Sequence, residues 1–221
     1  MAIGIQVKVW GDYALFSRPE FSTERASYEV MTPSAARGIL EAIHWKPAIL
    51  WVIDRIRVLN PVRFDTIRRN EVASKASYGN ARQAARGERL PPVLIADEDR
   101  QQRAALVLRD VAYVIEAHFE LTARAGAGDT PGKHAEMARR RIANGQCTYQ
   151  PGLGTREFTA FFAPPEPADL VGPHLALAGR RELGPMLHDI DFAAGMAPRF
   201  FPAVLENGVL VVPPLPRGGQ S

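Results

Sequence analysis

The spacing of apolar residues between positions 3 and 59 changes period twice, and this restricts the fold more than any other feature. In IGIQVKVW, residues 3–10, Ile5, Val7 and Val9 alternate with Gln6 and Lys8, as in a strand with one buried face. Thr32-Pro33 then reads as an N-cap followed by a first helical residue. Ala36, Ile39, Leu40 and Ile43 recur at i, i+3, i+4 and i+7, one apolar helical face. That helix is expected to stop near Trp45, because Pro47 disfavours helix in the residue before it. Residues 48–59, AILWVIDRIRVL, return to strand spacing. A third strand is expected over Asp110–Leu121, a second helix from about His134 to Ala143 with Asn144-Gly145 as its stop, and a fourth strand in REFTAFF, residues 156–162. The order predicts an α+β fold: a ferredoxin-like (RRM-like) βαββαβ domain over residues 1–163.

Two segments fall outside that unit. Residues 62–109 are basic and contain Tyr78-Gly79-Asn80, Pro91-Pro92 and the acidic run Asp97–Asp99. A structureless loop of that length is unusual, so a protruding hairpin or a partly mobile insertion is expected. Residues 164–221 follow a Pro-rich connection at Pro164–Pro167 and are expected to form a small antiparallel β region. Its hairpin at residues 203–212 turns on Asn207-Gly208.

With 221 residues, 46% apolar and 23% charged, the chain has the composition of a soluble protein of one domain or two small ones. It contains no run of 18 apolar residues, so no membrane partner is expected, and its N-terminus lacks a secretory apolar region. The single Cys147 excludes an internal disulfide and fits a reducing, cytoplasmic setting. No zinc spacing, P-loop or dinucleotide fingerprint occurs, so neither metal nor cofactor is expected.

The net charge is only +3, but it is unevenly spread: residues 63–89 carry +4, 124–141 carry +3 and 164–221 carry −2. Arginine dominates the basic stretches, and its planar guanidinium suits phosphate. The alternatives are a solvated mixed-charge surface and a nucleic-acid site.

Connectivity decides which residues meet. In a βαββαβ unit the C-terminus of the first helix and the N-terminus of the second lie at the same end of the sheet. His44 stands at the first and Lys133-His134 at the second. Helix ends favour opposite charges, so His44 is expected to lean toward imidazolium and His134 toward the neutral ring. The second helix start, after Gly132, is a natural phosphate seat. Lys133 would stabilise charge on a phosphorane. Such a pair could run general acid–base chemistry on RNA, whose 2′-hydroxyl is a built-in nucleophile that DNA lacks. The plainer readings are that His44 packs on Trp45 and that Lys133-His134 is an ordinary helix entry. His118 is expected to be structural, and no role falls to His174 or His188. The run Arg139, Arg140, Arg141 is either a solvated face or an extension of the phosphate seat.

In order, GDYALFSRPEF, AIHWKP, ILWVIDRIRVLNP, GKHAEMARRR and PGLGTREFTAFF resemble the CRISPR-associated "Cas five" family, subtype I-C (Dvulg), of the RAMP superfamily. The resemblance covers residues 1–165 closely and the rest more loosely. It implies a metal-independent endoribonuclease that cuts CRISPR repeat RNA at the base of its stem-loop. The products would be a 2′,3′-cyclic phosphate and a 5′-hydroxyl. It also implies that the protein stays on the 5′ handle of the guide RNA, in a type I-C surveillance complex with the backbone and large subunits. The family's catalytic Lys-His pair falls on Lys133 and His134, and its tyrosine position on His44, a departure. His134 is then expected as base and His44 as acid. The resemblance further implies RNA contacts at Gly152, Gly154 and Arg156 of the glycine loop. Weaker candidates for the RNA backbone are Arg37, Lys46, Arg68, Arg69, Lys75, Arg82 and Arg86. Two other readings stay open: a subunit that caps guide RNA without cutting it, and a protein that binds or cuts duplex DNA.

Overall fold

A computed structural model describes residues 4–21, 23–75, 77–87, 95, 97–172, 174–191 and 194–214. The Pro91-Pro92 pair lies outside the described residues. Among the described residues, eight strands form one antiparallel, curled sheet: β1 (Ile5–Ala14), β2 (Ile49–Val58), β3 (Phe64–Val72), β4 (Arg100–Leu121), β5 (Phe161–Ala163), β6 (Arg180–Asp191), β7 (Ala197–Glu206) and β8 (Val209–Val211). Their order is β5-β1-β4-β2-β8-β7-β6, with β3 paired to the far half of β4. The described residues also form α-helices α1 (Pro33–Ile43), α2 (Tyr78–Ala85) and α3 (Pro131–Ala143) and short 3-10 turns at Pro167–Leu170 and Leu175–Leu177.

The core forms where helical and strand periods face each other. Ala36, Ile39, Leu40 and Ile43 of α1 and Ala135, Ala138 and Ile142 of α3 share one buried cluster with Val7, Val9, Trp51, Ile53, Ile115 and Phe119 of the sheet. Each large aliphatic side chain fully buried there contributes ~1.5–3 kcal/mol. Caps fix the helix ends. The Thr32 hydroxyl accepts from the Ala35 N–H at 3.3 Å, and the Thr130 hydroxyl from the Lys133 N–H at 3.3 Å. The second cap starts α3 at Pro131, three residues before the expected His134. At its other end Gly145 adopts φ +61 and the Gln146 N–H returns to the Arg141 carbonyl at 2.8 Å. This left-handed closure is one that glycine makes without strain.

Other expected boundaries are corrected, among them the first strand, which is β1 at Ile5–Ala14 rather than residues 3–10. The third strand begins at Arg100 rather than Asp110, because β4 pairs with β3 along residues 100–108 before it enters the central sheet. The basic segment is therefore a hairpin, β3 against β4, with α2 at its tip. The fourth strand is only Phe161–Ala163: residues 152–159 fold into a tight loop, closed by Leu153 N–H to Phe158 O at 2.7 Å. The helix α1 ends at Ile43, and His44 caps it in extended geometry. The C-terminal hairpin turns as expected, with Asn207 at φ 48 and Gly208 at φ 74, the two positive values a type I′ turn demands. Strand β8 pairs with β2, so β6, β7 and β8 extend the same sheet. Arg37 of α1 ties to Asp189 of β6 through two N–H···O bonds of 2.5 and 2.8 Å.

Candidate active site

α1 descends onto the start of β2, and α3 rises from the loop that follows β4, so His44 and His134 arrive at one end of the sheet. The two rings touch: His44 Nε2 lies 3.1 Å from His134 Nδ1. The turn after α1 is fastened by Trp51, whose indole N–H donates to the His44 carbonyl at 2.8 Å, and by Arg141, which donates to the Ile43 carbonyl at 2.7 Å. Phe119 of β4 stands edge-on to His134, ring centroids 6.0 Å apart. Both histidines are closed off from solvent, at 1% and 0% exposure. As they stand, no nucleotide fits between them.

The charge expected on His44 is corrected. Its pKa is lowered to about 4, first by burial and then by the positive neighbours Arg141, His134 and Lys46. The helix C-terminus does not hold an imidazolium here because its carbonyls already have other donors: Leu40 O takes the His44 N–H, and Ile43 O takes Arg141. What remains is the desolvation penalty, which disfavours the charged ring.

The far side of His134 meets a residue that the sequence pattern does not single out. Asp129 Oδ1 lies 3.0 Å from His134 Nε2, and its Oδ2 accepts from the Gly126 N–H at 3.0 Å. The Gly126 N–H, aided by His134 and Lys133, holds this carboxyl below the usual aspartate range. An ionised carboxylate only accepts, so His134 Nε2 carries a hydrogen. In neutral His134 the Nδ1 atom is then an acceptor, and His44 Nε2–H donates to it. The result is a continuous series Asp129–His134–His44. Lys133 is exposed beside it, with Nζ donating to the Gly128 carbonyl at 3.0 Å. The one available signal was position: Asp129 stands immediately before the Thr-Pro cap and five residues ahead of His134.

The arginines divide into two groups. Arg37 is held by Asp189, Arg69 by Glu71 and Glu157, Arg139 by the Gly4 carbonyl and Arg141 by the Ile43 carbonyl. Lys46, Arg68, Lys75, Arg82, Arg86, Arg140 and Arg156 are exposed. Gly152 and Gly154 have reasons within the protein. A Cβ on Gly154, which has φ +89, would lie 2.0 Å from the Leu15 carbonyl oxygen, and one on Gly152 would lie 2.6 Å from that of Thr155. His118 bonds Asp54 at 2.9 Å, His174 accepts from the Ala176 N–H, and His188 donates to the Pro213 carbonyl. Among the described residues no group of three or more His, Cys, Asp or Glu side chains is placed to hold a metal ion, and no helix is long and apolar enough to cross a membrane.

Residues 4–213 match the family described as CRISPR-associated protein (Cas_Cas5). The chain is 53% identical over 218 residues to the CRISPR pre-crRNA endoribonuclease Cas5d of Mannheimia succiniciproducens, covering 97% of this chain and 96% of that one. It is 45% identical over 188 residues to the protein of the same name from Thermus thermophilus, covering 85% and 73%. In fold it is similar to a solved CRISPR-associated protein, with TM-score 0.71 at 24% identity over 96% and 93% of the two chains. It is also similar to the functionally uncharacterized protein SMU1763c of Streptococcus mutans, with TM-score 0.66 at 23% identity over the same shares.

Proposed function

This chain belongs to the CRISPR-associated Cas5 family, and on that premise we propose that it is an endoribonuclease that cuts CRISPR repeat precursor RNA. The observation that carries the chemistry is the hydrogen-bonded series Asp129–His134–His44 with Lys133 alongside. In this reading a ribose-phosphate linkage enters between the two imidazoles and replaces their 3.1 Å contact. A neutral His44 suits a base better than an acid. Once the contact to His134 is replaced, His44 carries its own hydrogen on Nδ1 and takes the 2′-hydroxyl proton on Nε2; O2′ attacks the adjacent phosphorus, and the P–O5′ bond breaks. His134, which has taken a proton from solvent on Nδ1 with its charge answered by Asp129, gives that proton to O5′. This reverses the assignment expected from the helix ends. Lys133 leaves the Gly128 carbonyl and faces the phosphorane, where a charged donor is worth most. The products are a 2′,3′-cyclic phosphate and a 5′-hydroxyl, and no step calls on a metal ion.

The wider reading follows from the family. The order β5-β1-β4-β2 with α1 and α3 between the strands supports reading residues 1–163 as a ferredoxin-like unit that holds and cuts the RNA, with 164–221 as a smaller β region. The exposed Arg68, Lys75, Arg82 and Arg86 on the β3–β4 hairpin, with Arg140, Arg156 and Lys46, are its backbone contacts. The protein stays on the 5′ handle and joins the backbone and large subunits of a type I-C surveillance complex.

The test is repeat RNA in EDTA, with and without a 2′-deoxy nucleotide at the cut. Cleavage of the all-ribose RNA to a cyclic phosphate, and binding without cleavage of the deoxy RNA, are expected. Cutting of the deoxy RNA would refute the 2′-hydroxyl route. The complete burial of both rings favours a second reading, a subunit that caps guide RNA without cutting it. Under that reading the all-ribose RNA would bind and stay intact.

A further inference from the structure

Asp129 lies outside the set of residues that the family resemblance marks, yet both of its carboxylate oxygens are hydrogen-bonded beside the histidine pair. Its carboxylate is locked from its own turn. The Asp129 N–H donates to the Gly126 carbonyl at 2.9 Å, and the Gly126 N–H donates back to Oδ2 at 3.0 Å. Only Oδ1 is left to point outward, and it meets His134 Nε2 at 3.0 Å. The next residue, Thr130, caps α3, so the carboxylate and the helix that carries His134 are fixed to one another over five residues. A surface aspartate with no task would not be expected to combine a locked rotamer with a bond to a ring that has no exposed surface.

We propose that Asp129 is the positioning residue of the nuclease site: it holds His134 with Nε2 protonated and Nδ1 turned toward the reacting linkage. The inference rests on the reading of His134 as a member of the catalytic set. The bond to Oδ1 fixes the ring's rotation, as the outer partner of a functional histidine commonly does. The carboxylate also balances the charge His134 carries before it protonates the leaving oxygen. On the ring's outer side Asp129 is its acidic partner. The other facing groups are positive or neutral: Lys133 on α3, His44 at the end of α1 with Arg141 and Lys46 beyond it, and Phe119 on β4. Removing the carboxylate charge therefore leaves a cationic surrounding unopposed.

The experiment is single-turnover cleavage of repeat RNA by the full chain as a function of pH, for wild type, Asp129→Asn, Asp129→Glu and His134→Ala, with affinity measured separately on 2′-deoxy RNA. For Asp129→Asn the maximal rate is expected to fall ~10²-fold with affinity held. The alkaline limb of its pH profile should move to lower pH, because a carboxylate beside an imidazolium favours the protonated ring and an amide does not. Asp129→Glu should recover part of the rate and return the limb. A merely structural role would lower the rate without moving the limb, and that result would overturn the proposal. So would faster cleavage or tighter binding by Asp129→Asn, which would make the carboxylate an occluding group. His134→Ala separates the levels: if it cuts normally, the catalytic reading of His134 fails. If it is inactive while Asp129→Asn keeps the wild-type rate and limb, only the positioning role fails.

Discussion

His44 makes the stability of the fold depend on pH in a way that can be isolated. Its ring is buried and neutral, with its proton affinity lowered from an ordinary 6.5 to about 4. In the unfolded chain the same ring takes a proton near 6.5. Between those values the unfolded state binds the proton and the folded state does not, so stability rises with pH through this window and is flat above it. Each tenfold in proton affinity corresponds to ~1.4 kcal/mol. The fall to about 4 thus removes ~2 kcal/mol by pH 5 and ~3 kcal/mol by pH 4, a large part of a typical total of ~5–15 kcal/mol. The variant His44→Gln keeps a donor toward His134 Nδ1 and cannot titrate. Urea unfolding of both proteins from pH 4 to 7.5 gives the difference directly. Titrations shared by the two, such as the depressed carboxyls of Asp129 and Asp169 and the raised one of Glu41, largely cancel. The wild type should lose its advantage over the variant steadily below pH 6.5. Parallel curves over that range would refute the claim that burial keeps His44 neutral.

Two further outcomes test the surroundings. Gly154→Ala puts a Cβ 2.0 Å from the Leu15 carbonyl at φ +89; a cost of at least ~2 kcal/mol and a Tm lower by roughly 4–8 °C are expected. An unchanged melting temperature would mean that the loop can rearrange freely. Replacing Arg68, Arg82 and Arg86 together with Ala should weaken RNA binding and flatten its log–log salt dependence, by ~0.7 for each phosphate that these side chains no longer neutralise. Salt slopes equal to wild type would remove the hairpin from the RNA path.

What the sequence disclosed and what it withheld follow from the range of the interactions. The period of α1, its Thr32-Pro33 cap and the Asn207-Gly208 turn were legible because each depends on residues a few positions apart. The meeting of His44 with Lys133-His134 was legible as well, since connectivity alone brings those helix ends together. The start of β4 was hidden: Arg100, Gln101, Gln102 and Arg103 carry no apolar alternation to mark it within the expected hairpin or insertion, and only pairing with β3 makes them strand. The shortness of β5 was hidden because the alternation in REFTAFF serves a closed loop instead. The charge state of His44 depends on complete burial and on Arg141 reaching across to α1, neither of which a local pattern records. Asp129 was invisible for a similar reason: its role arises only when Gly126 folds the turn back on it.

The 22 residues of β4 run from the base of α2's excursion to the edge of Phe119, with one left-handed residue, Asp110 at φ 53, between the part paired with β3 and the part paired with β2. A strand presents alternate residues to opposite sides, so adding or deleting a single residue within it would invert every side chain beyond the change. A change in the length of this arm is thereby least disruptive between Val72 and Arg100. There the span can grow toward a different ligand while the spacing between the arm's root and the histidines stays constant.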